Sequence, residues 1–175
     1  MKMKKMIETE RLILREWEND DVPNLNKFLQ DSEVMYAYEH AFSDEEVLNW
    51  LNWNQQSYKE NGYGLWAVEL KETGQVIGEC GITDQIVEGK SYKEIGYHLI
   101  KEFWHHGFAV EAAQAVKKYA FEKLKAGNVT SIVRDTNLAS MNVAIRNNMI
   151  VKSRFTKRYR DIVMPHYLFM IEKEK

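Results

Sequence analysis

The segment at residues 107–124 constrains the fold of this chain more than any other, because it has the pattern of a long amphipathic helix. Its apolar side chains fall on one stripe, formed by Ala109, Ala112, Ala113, Val116, Ala120 and Leu124. Its charged side chains fall on the opposite side, at Glu111, Lys117, Lys118, Glu122 and Lys123. An apolar stripe of this length has to be covered by another layer of the protein. Because the strand-like residues 92–100 come shortly before it, we expect this helix to pack on a sheet.

Other strand-like and helix-like segments lie on both sides of this helix. Strands are predicted at residues 11–17, 64–70, 76–84, 92–100, 129–134, 150–159 and 163–172. Further helices are predicted from 19 or 20 to 30, from the capping box Ser43-Asp44-Glu45-Glu46 to before 61, and at 139–147. Turns at Gly74 and Glu88-Gly89 favour an antiparallel meander of the three central strands. This order predicts a mixed α/β fold with one central sheet, in a single domain over residues 1–175.

The composition excludes several classes of protein. In the 175-residue chain 24 lysine and arginine residues nearly balance 26 aspartate and glutamate residues, so the net charge of −2 gives no electrostatic case for a nucleic-acid partner. No apolar run approaches the roughly 20 residues of a membrane span, and no apolar stretch follows the basic start as in a secretion signal. The single cysteine, Cys80, cannot form an internal disulfide. We therefore expect a cytoplasmic protein without a membrane partner, either a monomer or a homodimer.

The turn before the long helix is a candidate anion site. A helix start offers unpaired N–H groups and the positive end of the helix dipole, which together suit a phosphate. Gly107 and Ala109 leave the backbone there uncovered, so a diphosphate could approach it closely. The alternative is that Gly107 only relieves a tight turn between a strand and a helix.

A resemblance to a known family begins at this turn. The pattern Trp104-x-x-Gly107-x-Ala109, followed by Glu111-Ala112, resembles the acyl-CoA pyrophosphate loop of the GNAT N-acetyltransferase superfamily. Three further matches occur in the expected order: residues 8–15 resemble the opening strand, Glu94-Ile95-Gly96-Tyr97 the fourth strand, and Asn137-Leu138-Ala139-Ser140 the segment after the fifth strand. Together they are similar to the branch of ribosomal-protein N-terminal alanine and serine acetyltransferases.

The resemblance implies both a fold and a donor. The fold is a mixed, mostly antiparallel sheet, splayed between the fourth and fifth strands and flanked by about four helices. The donor is acetyl-CoA, the acceptor is a primary amine, and no metal is required. The residues that would bind the cofactor are Tyr97, His98, Leu99 and Ile100 in the fourth strand, His105, His106, Gly107, Phe108, Ala109 and Val110 in the loop, and Asn137.

The same resemblance suggests catalytic roles. Glu94 stands at the usual position of the general base, acting through a water; the alternative is an ordinary strand residue on a solvated face. A fourth-strand amide near Leu99 or Ile100 would stabilise the oxyanion. Many relatives donate a proton to the CoA thiolate from a tyrosine, but Ala144 occupies that position here, so Ser140 becomes the candidate. Ser140 and Asn137 could also serve only to cap the next helix.

The acceptor is left open by the sequence. Tyr36, Tyr38 and Glu39 lie between the first two helices, where they could hold a cationic amine or simply pack the loop. The acceptor could be a protein N-terminus or a small amine such as a polyamine, an amino acid or an antibiotic. A closed pocket with Glu39 or Glu94 inside would favour the small amine. A binding module that holds acyl-CoA without turnover is the third possibility, because Tyr159 stands where some relatives carry a carboxylate.

The last hairpin has a basic character that admits two interpretations. Its basic residues are Arg154, Lys157, Arg158 and Arg160. They could form a solvated face or meet an acidic partner.

Overall fold

The computed structural model describes residues 3–159 and 161–175. Within these residues one sheet of eight strands has the order β1-β2-β3-β4-β5-β6-β8-β7. The strands are β1 (Lys5–Glu8), β2 (Leu12–Arg15), β3 (Leu65–Leu70), β4 (Val76–Val87), β5 (Lys90–Leu99), β6 (Asn128–Arg134), β7 (Ile150–Tyr159) and β8 (Ile162–Glu172). The α-helices are α1 (Val22–Leu29), α2 (Asp44–Asn61), α3 (Phe108–Glu122) and α4 (Leu138–Arg146). Short 3-10 helices lie at Asn19–Asp21, Tyr36–Tyr38 and Lys101–Phe103.

The sheet is antiparallel except at one junction. Strands β1 to β5 pair antiparallel in chain order, as do β6 with β8 and β8 with β7. Strands β5 and β6 are parallel and share a single registered pair, Glu94 with Thr130. The predicted mixed sheet with a splay is therefore confirmed. Because Lys5–Glu8 forms an additional strand at the edge, the strands counted as fourth and fifth in the resemblance are β5 and β6.

Helix α3 covers the sheet as its pattern predicted. Its stripe residues Ala112, Ala113, Val116 and Ala120 are buried, and the helix packs against β4 and β5. Alternating residues of β5 point to opposite faces of the sheet. His98 contacts the ring of Trp50 in α2, whereas Tyr97 bonds to Ser140 in α4. The helix pairs α1–α2 and α3–α4 therefore cover opposite faces.

Several element ends differ from the predictions for local reasons. The first helix begins with a 3-10 turn, and α1 starts at Val22, with a proline in its first two positions. Strands β4 and β5 extend to a two-residue turn, in which Glu88 and Gly89 have φ of 49° and 79°. Arg160, part of the predicted last turn, lies outside the described residues. None of the described helices is long and apolar enough to cross a bilayer.

Candidate active site

Side chains bridge the opening between β5 and β6. The Thr130 hydroxyl donates to the carbonyl of Lys93 (3.2 Å), and the Ser131 hydroxyl donates to that of Ile95 (3.1 Å). Next along β6, the Ile132 N–H donates to Oε2 of Glu94 at 3.1 Å. The Glu94 carboxylate therefore accepts a hydrogen bond that a backbone carbonyl of β5 would accept in a regular sheet, and it lies in the opening between β5 and β6.

The surroundings of Glu94 change its acidity. Burial raises the pKa of Glu94 to about 7, and the positive charge of Lys157 and the hydrogen bond from Ile132 N–H oppose this rise only in part. These surroundings are those of a desolvated carboxyl rather than of a solvated strand residue. A carboxyl that titrates near neutral pH can both accept and release a proton there.

The end of β5 presents free backbone groups to the same opening. Because the Ile100 N–H donates to the carbonyl of Ile77 (2.8 Å), the Leu99–Gly78 pair is of the non-hydrogen-bonded type. The backbone groups of Leu99, and by alternation those of Tyr97, therefore face away from β4 and toward β6. The Leu99 carbonyl accepts from Nε1 of Trp104 at 2.9 Å, which leaves the Leu99 N–H for another partner. The backbone groups of His98 and the N–H of Ile100 are used by β4, and the Ile100 carbonyl accepts from the Phe103 N–H at 2.9 Å. Of the two amides considered for the oxyanion, that of Leu99 has the suitable direction.

The loop after β5 uses two left-handed residues to turn into α3. His105 has φ of 64° and Gly107 has φ of 79°. Gly107 is the N-cap of α3, no side chain caps this helix, and a Cβ at Gly107 would contact only Nη2 of Arg11, at 3.5 Å. The first N–H groups of α3 thus lack a side-chain partner, and the backbone in front of them is uncovered. This is the geometry that a diphosphate needs.

Residues near the start of the chain hold this loop, which the sequence did not predict. The Arg11 Nε donates to Oε2 of Glu111 at 2.7 Å, and its Nη1 donates to the carbonyl of His106 at 3.1 Å. The Thr9 hydroxyl and the Arg11 backbone N–H both donate to Oε1 of Glu111, at 2.8 and 2.9 Å. The Arg11 guanidinium also lies 4.3 Å from the centre of the Phe108 ring. Thr9 and Arg11 both belong to the motif at residues 8–15, but nothing in that motif indicates a contact with Glu111.

Three predicted residues meet at the start of α4. Asn137 caps the helix, because its Oδ1 accepts from the Ser140 N–H at 3.1 Å. The Tyr97 hydroxyl donates to the Ser140 carbonyl at 2.9 Å, which connects β5 to α4. Within the described residues no hydrogen bond involves the Ser140 hydroxyl, which stays available for another partner.

The opposite face of β5 carries an aromatic cluster. The Tyr38 ring centre lies 5.6 Å from His98, 6.0 Å from Tyr159 and 6.2 Å from Trp50. Burial raises the pKa of Tyr38, and the charges of Glu94 and Glu79 raise it further. Tyr38 therefore lies within electrostatic range of the Glu94 carboxylate.

The other two predicted acceptor residues lie further out. Tyr36 is 42% exposed, and the Glu39 carboxylate pairs with the guanidinium of Arg134. The negative charge of Glu39 is thus already engaged by a cation of this chain.

A buried carboxylate beneath the cluster was also missed. Glu79 of β4 is 0% exposed and bonds to the indole N–H groups of Trp17 and Trp50 and to Nδ1 of His98. The available signal was a charged residue within residues 76–82, whose other members are Val, Ile, Gly and Cys.

The single cysteine, Cys80, is buried in the core. Burial raises the pKa of the Cys80 thiol, which keeps it protonated and unreactive. Among the residues that the structure describes, no group of three or more His, Cys, Asp and Glu side chains could hold a metal ion.

Comparisons with known proteins agree with this geometry. Residues 11–150 match the family described as Acetyltransferase (GNAT) domain. The Bacillus subtilis protein YkkB is 35% identical over 150 residues, which cover 85% of this chain and 87% of YkkB. A GNAT-family acetyltransferase structure from Bacillus anthracis is 27% identical, with a TM-score of 0.79 over 95% of this chain and 97% of that chain.

The fold is also similar to that of the RimL ribosomal L7/L12 α-N-protein acetyltransferase, solved in complex with coenzyme A. That structure has a TM-score of 0.77 and covers 97% of this chain and 98% of its own. At 16% identity, the likeness concerns the fold.

Proposed function

This chain belongs to the GNAT acetyltransferase family and is an acyltransferase, and we propose that it moves the acetyl group of acetyl-CoA directly to a primary amine. The observation that carries the proposal is the uncapped start of α3 at Gly107, next to an opening of the sheet that contains a desolvated carboxyl, Glu94. Family membership implies acetyl-CoA as the donor. Two features support the proposal: the uncapped N–H groups of α3 suit the diphosphate of the donor, and a carboxyl that titrates near neutral pH suits the removal of a proton from the acceptor.

Acetyl-CoA would bind along β5 and the loop that follows it. The N–H groups of residues 105–110 would hold its diphosphate, and the backbone groups of Tyr97 would pair with the amides of the pantetheine arm. The Asn137 side chain has a second lone pair on Oδ1, and no hydrogen bond in the described part of the chain uses its amide N–H groups, so both could serve the same arm. The cleft between β5 and β6 would thereby direct the thioester toward the Leu99 N–H.

The reaction requires the removal of protons from the acceptor. An amine with a pKa near ~10 is mostly ammonium at neutral pH and cannot attack until a proton leaves. Glu94 would accept that proton through water. The Leu99 N–H would stabilise the negative charge that develops on the thioester oxygen. The Ser140 hydroxyl would give a proton to the departing CoA thiolate.

The proposal also concerns the class of amine that accepts the acetyl group. The half-buried carboxyl of Glu94, which lies within electrostatic range of Tyr38, favours a small amine over an extended peptide. The alternative, a protein N-terminal amine, is consistent with the branch that the sequence resembles. The pairing of Glu39 with Arg134 argues against Glu39 as the main partner of a cationic amine.

A screen of acceptors tests the proposal. The full chain is mixed with acetyl-CoA and either short peptides beginning with Ala, Ser or Met, or common polyamines, amino acids and aminoglycosides, and free thiol is measured. We expect at least one amine to release CoA well above the uncatalysed rate, and Glu94→Gln to lower that rate. If acetyl-CoA binds but no amine increases CoA release, the chain is an acyl-CoA-binding module and the proposal is wrong.

A further inference from the structure

The carboxylate of Glu79 is placed where a carboxylate is costly. It is 0% exposed, and it lies in β4 beneath the aromatic cluster. Its Oε1 lies 2.9 Å from Nδ1 of His98, its Oε2 accepts from Trp17 Nε1 at 3.2 Å, and both oxygens lie within 3.2 Å of Trp50 Nε1. Three hydrogen-bonding partners compensate for the loss of water around the buried charge. An apolar residue at this position would avoid the free-energy cost of desolvation altogether. Packing alone therefore does not explain a glutamate at position 79, whose role follows from its three partners.

The three partners determine the tautomer of His98. An indole nitrogen can only donate, so both tryptophans require an acceptor from Glu79. An ionised carboxylate has no hydrogen to give, so His98 must donate from Nδ1. Whenever the imidazole is neutral, its proton is then on Nδ1, and Nε2 carries a lone pair. Across the described residues no hydrogen bond occupies Nε2.

His98 is also closer to the oxyanion position than Glu94 is. His98 precedes Leu99 directly, whereas Glu94 lies five positions before Leu99. At about 3.3 Å per residue along a strand, that separation is about 16 Å. The His98 side chain retains 14% exposure, and its ring lies between those of Phe28, Tyr38 and Trp50. An amine attacking a thioester held at Leu99 would therefore meet the imidazole before the Glu94 carboxylate.

We propose that His98 Nε2 accepts a proton from the amine as the new C–N bond forms, and that Glu79 is a positioning residue that fixes its tautomer. This inference rests on the proposed acetyl transfer. It names the group that accepts the second of the two protons that the acceptor loses. An ammonium acceptor loses two protons when it becomes an amide. The first leaves for Glu94 through water before attack, and the second passes to His98 as nitrogen bonds to the acetyl carbon. The C–S bond then breaks, and its electron pair leaves with CoA. The thiolate takes a proton from the Ser140 hydroxyl, Ser140 regains one from water, and His98 returns its proton to water.

The tautomer can be measured without any substrate. In ¹⁵N NMR of the full chain, with the His98 signals assigned by their loss in His98→Gln, we expect His98 to carry its proton on Nδ1. Glu79→Gln should reverse this, because its amide oxygen must face the two indoles and its NH2 group then donates to Nδ1. A His98 that is protonated on Nε2 in the unaltered protein would overturn the proposal.

The catalytic role is tested on the amine that gives the fastest CoA release in the acceptor screen. We expect His98→Gln and Glu79→Gln to lower kcat about 100-fold, the size typical of a general base, while KM for acetyl-CoA changes less than threefold. The matched control is His40→Gln, which removes another histidine that faces a glutamate, Glu46 at 3.2 Å. The control should keep kcat within threefold.

The outcomes separate the two proposals. If the unaltered chain is active and His98→Gln retains its kcat, only the role of His98 is wrong. If the unaltered chain releases no CoA with any amine, the proposed function is wrong and the role of His98 is lost with it. If Glu79→Gln does not fold, the tautomer of the unaltered protein and the kcat of His98→Gln decide the question alone.

Discussion

Arg11 and Glu111 lie 100 residues apart in the sequence, yet the Arg11 Nε is 2.7 Å from Oε2 of Glu111. The same guanidinium donates to the His106 carbonyl, so it connects the first turn of α3 to the loop in front of it. Thr9 adds a hydrogen bond to the other oxygen of Glu111. The start of the chain thereby holds the left-handed loop in one conformation, with its N–H groups exposed for a diphosphate.

We expect Arg11→Ala to weaken acetyl-CoA binding about tenfold, because the loop loses its contact at His106. The ion pair is partly exposed, so the free energy of unfolding should change by only ~0.5–1 kcal/mol. Calorimetric titration with CoA and chemical denaturation measure the two effects. Lys4→Ala, which removes another partly exposed ion pair, is the control and should leave CoA affinity unchanged. An Arg11→Ala protein with normal affinity would show that the loop needs no such anchor.

Gly107→Val should reduce CoA affinity at least 100-fold. A β-branched side chain is strained at φ of 79° and would cover the backbone that faces the diphosphate. Gly62 has the same φ of 79° and open space around it, so Gly62→Val carries a similar strain at the end of α2. Both variants should lose stability, but only Gly107→Val should lose affinity in a CoA titration. Equal affinity of the two variants would argue against a diphosphate site at Gly107.

Glu94→Gln should stabilise the fold in a pH-dependent way. The pKa of Glu94 rises on folding from 4.5 to about 7, so between these values the folded state binds more protons than the unfolded state. The contribution of Glu94 to stability therefore falls as the pH rises through this window, whereas glutamine does not titrate. We expect the two proteins to unfold alike near pH 4.5 and to differ on the order of 3 kcal/mol above pH 8. Denaturation at both pH values measures this, and a constant difference would contradict the desolvation of Glu94.

Ser140→Ala should lower kcat about tenfold or more without a loss of stability. Its hydroxyl has no hydrogen bond within the described residues, so the substitution removes nothing that holds the fold. Asn137→Ala is the contrasting variant, since it removes the cap of α4 and should cost ~1 kcal/mol. Steady-state kinetics and thermal unfolding of both proteins are the measurements. If Ser140→Ala keeps full activity, the thiolate takes its proton from another donor.

The parts of the fold that could be predicted are those encoded by local patterns. The stripe of α3 and the capping box at Ser43 depend on residues a few positions apart, and both are confirmed. Lys5–Glu8 has only four residues and no apolar alternation, so β1 could not be distinguished from a loop. It forms because β2 offers it a free edge.

The candidate site was predictable only where a motif carried it. Gly107 and Asn137 stand at the N-caps of α3 and α4, where the motif predicts a turn and a helix cap. The partners of Arg11 and Glu79 could not be found, because each contact joins elements distant in the sequence and leaves no periodic pattern. The direction of the Leu99 amide follows from strand register, which the order of the segments does not fix.

The most direct test of the account is a crystal structure of the full chain in complex with coenzyme A. We predict that the diphosphate oxygens lie within hydrogen-bonding distance of the N–H groups of residues 105–110, in front of α3. Coenzyme A bound elsewhere on the protein, with this loop contacting no phosphate, would contradict the account.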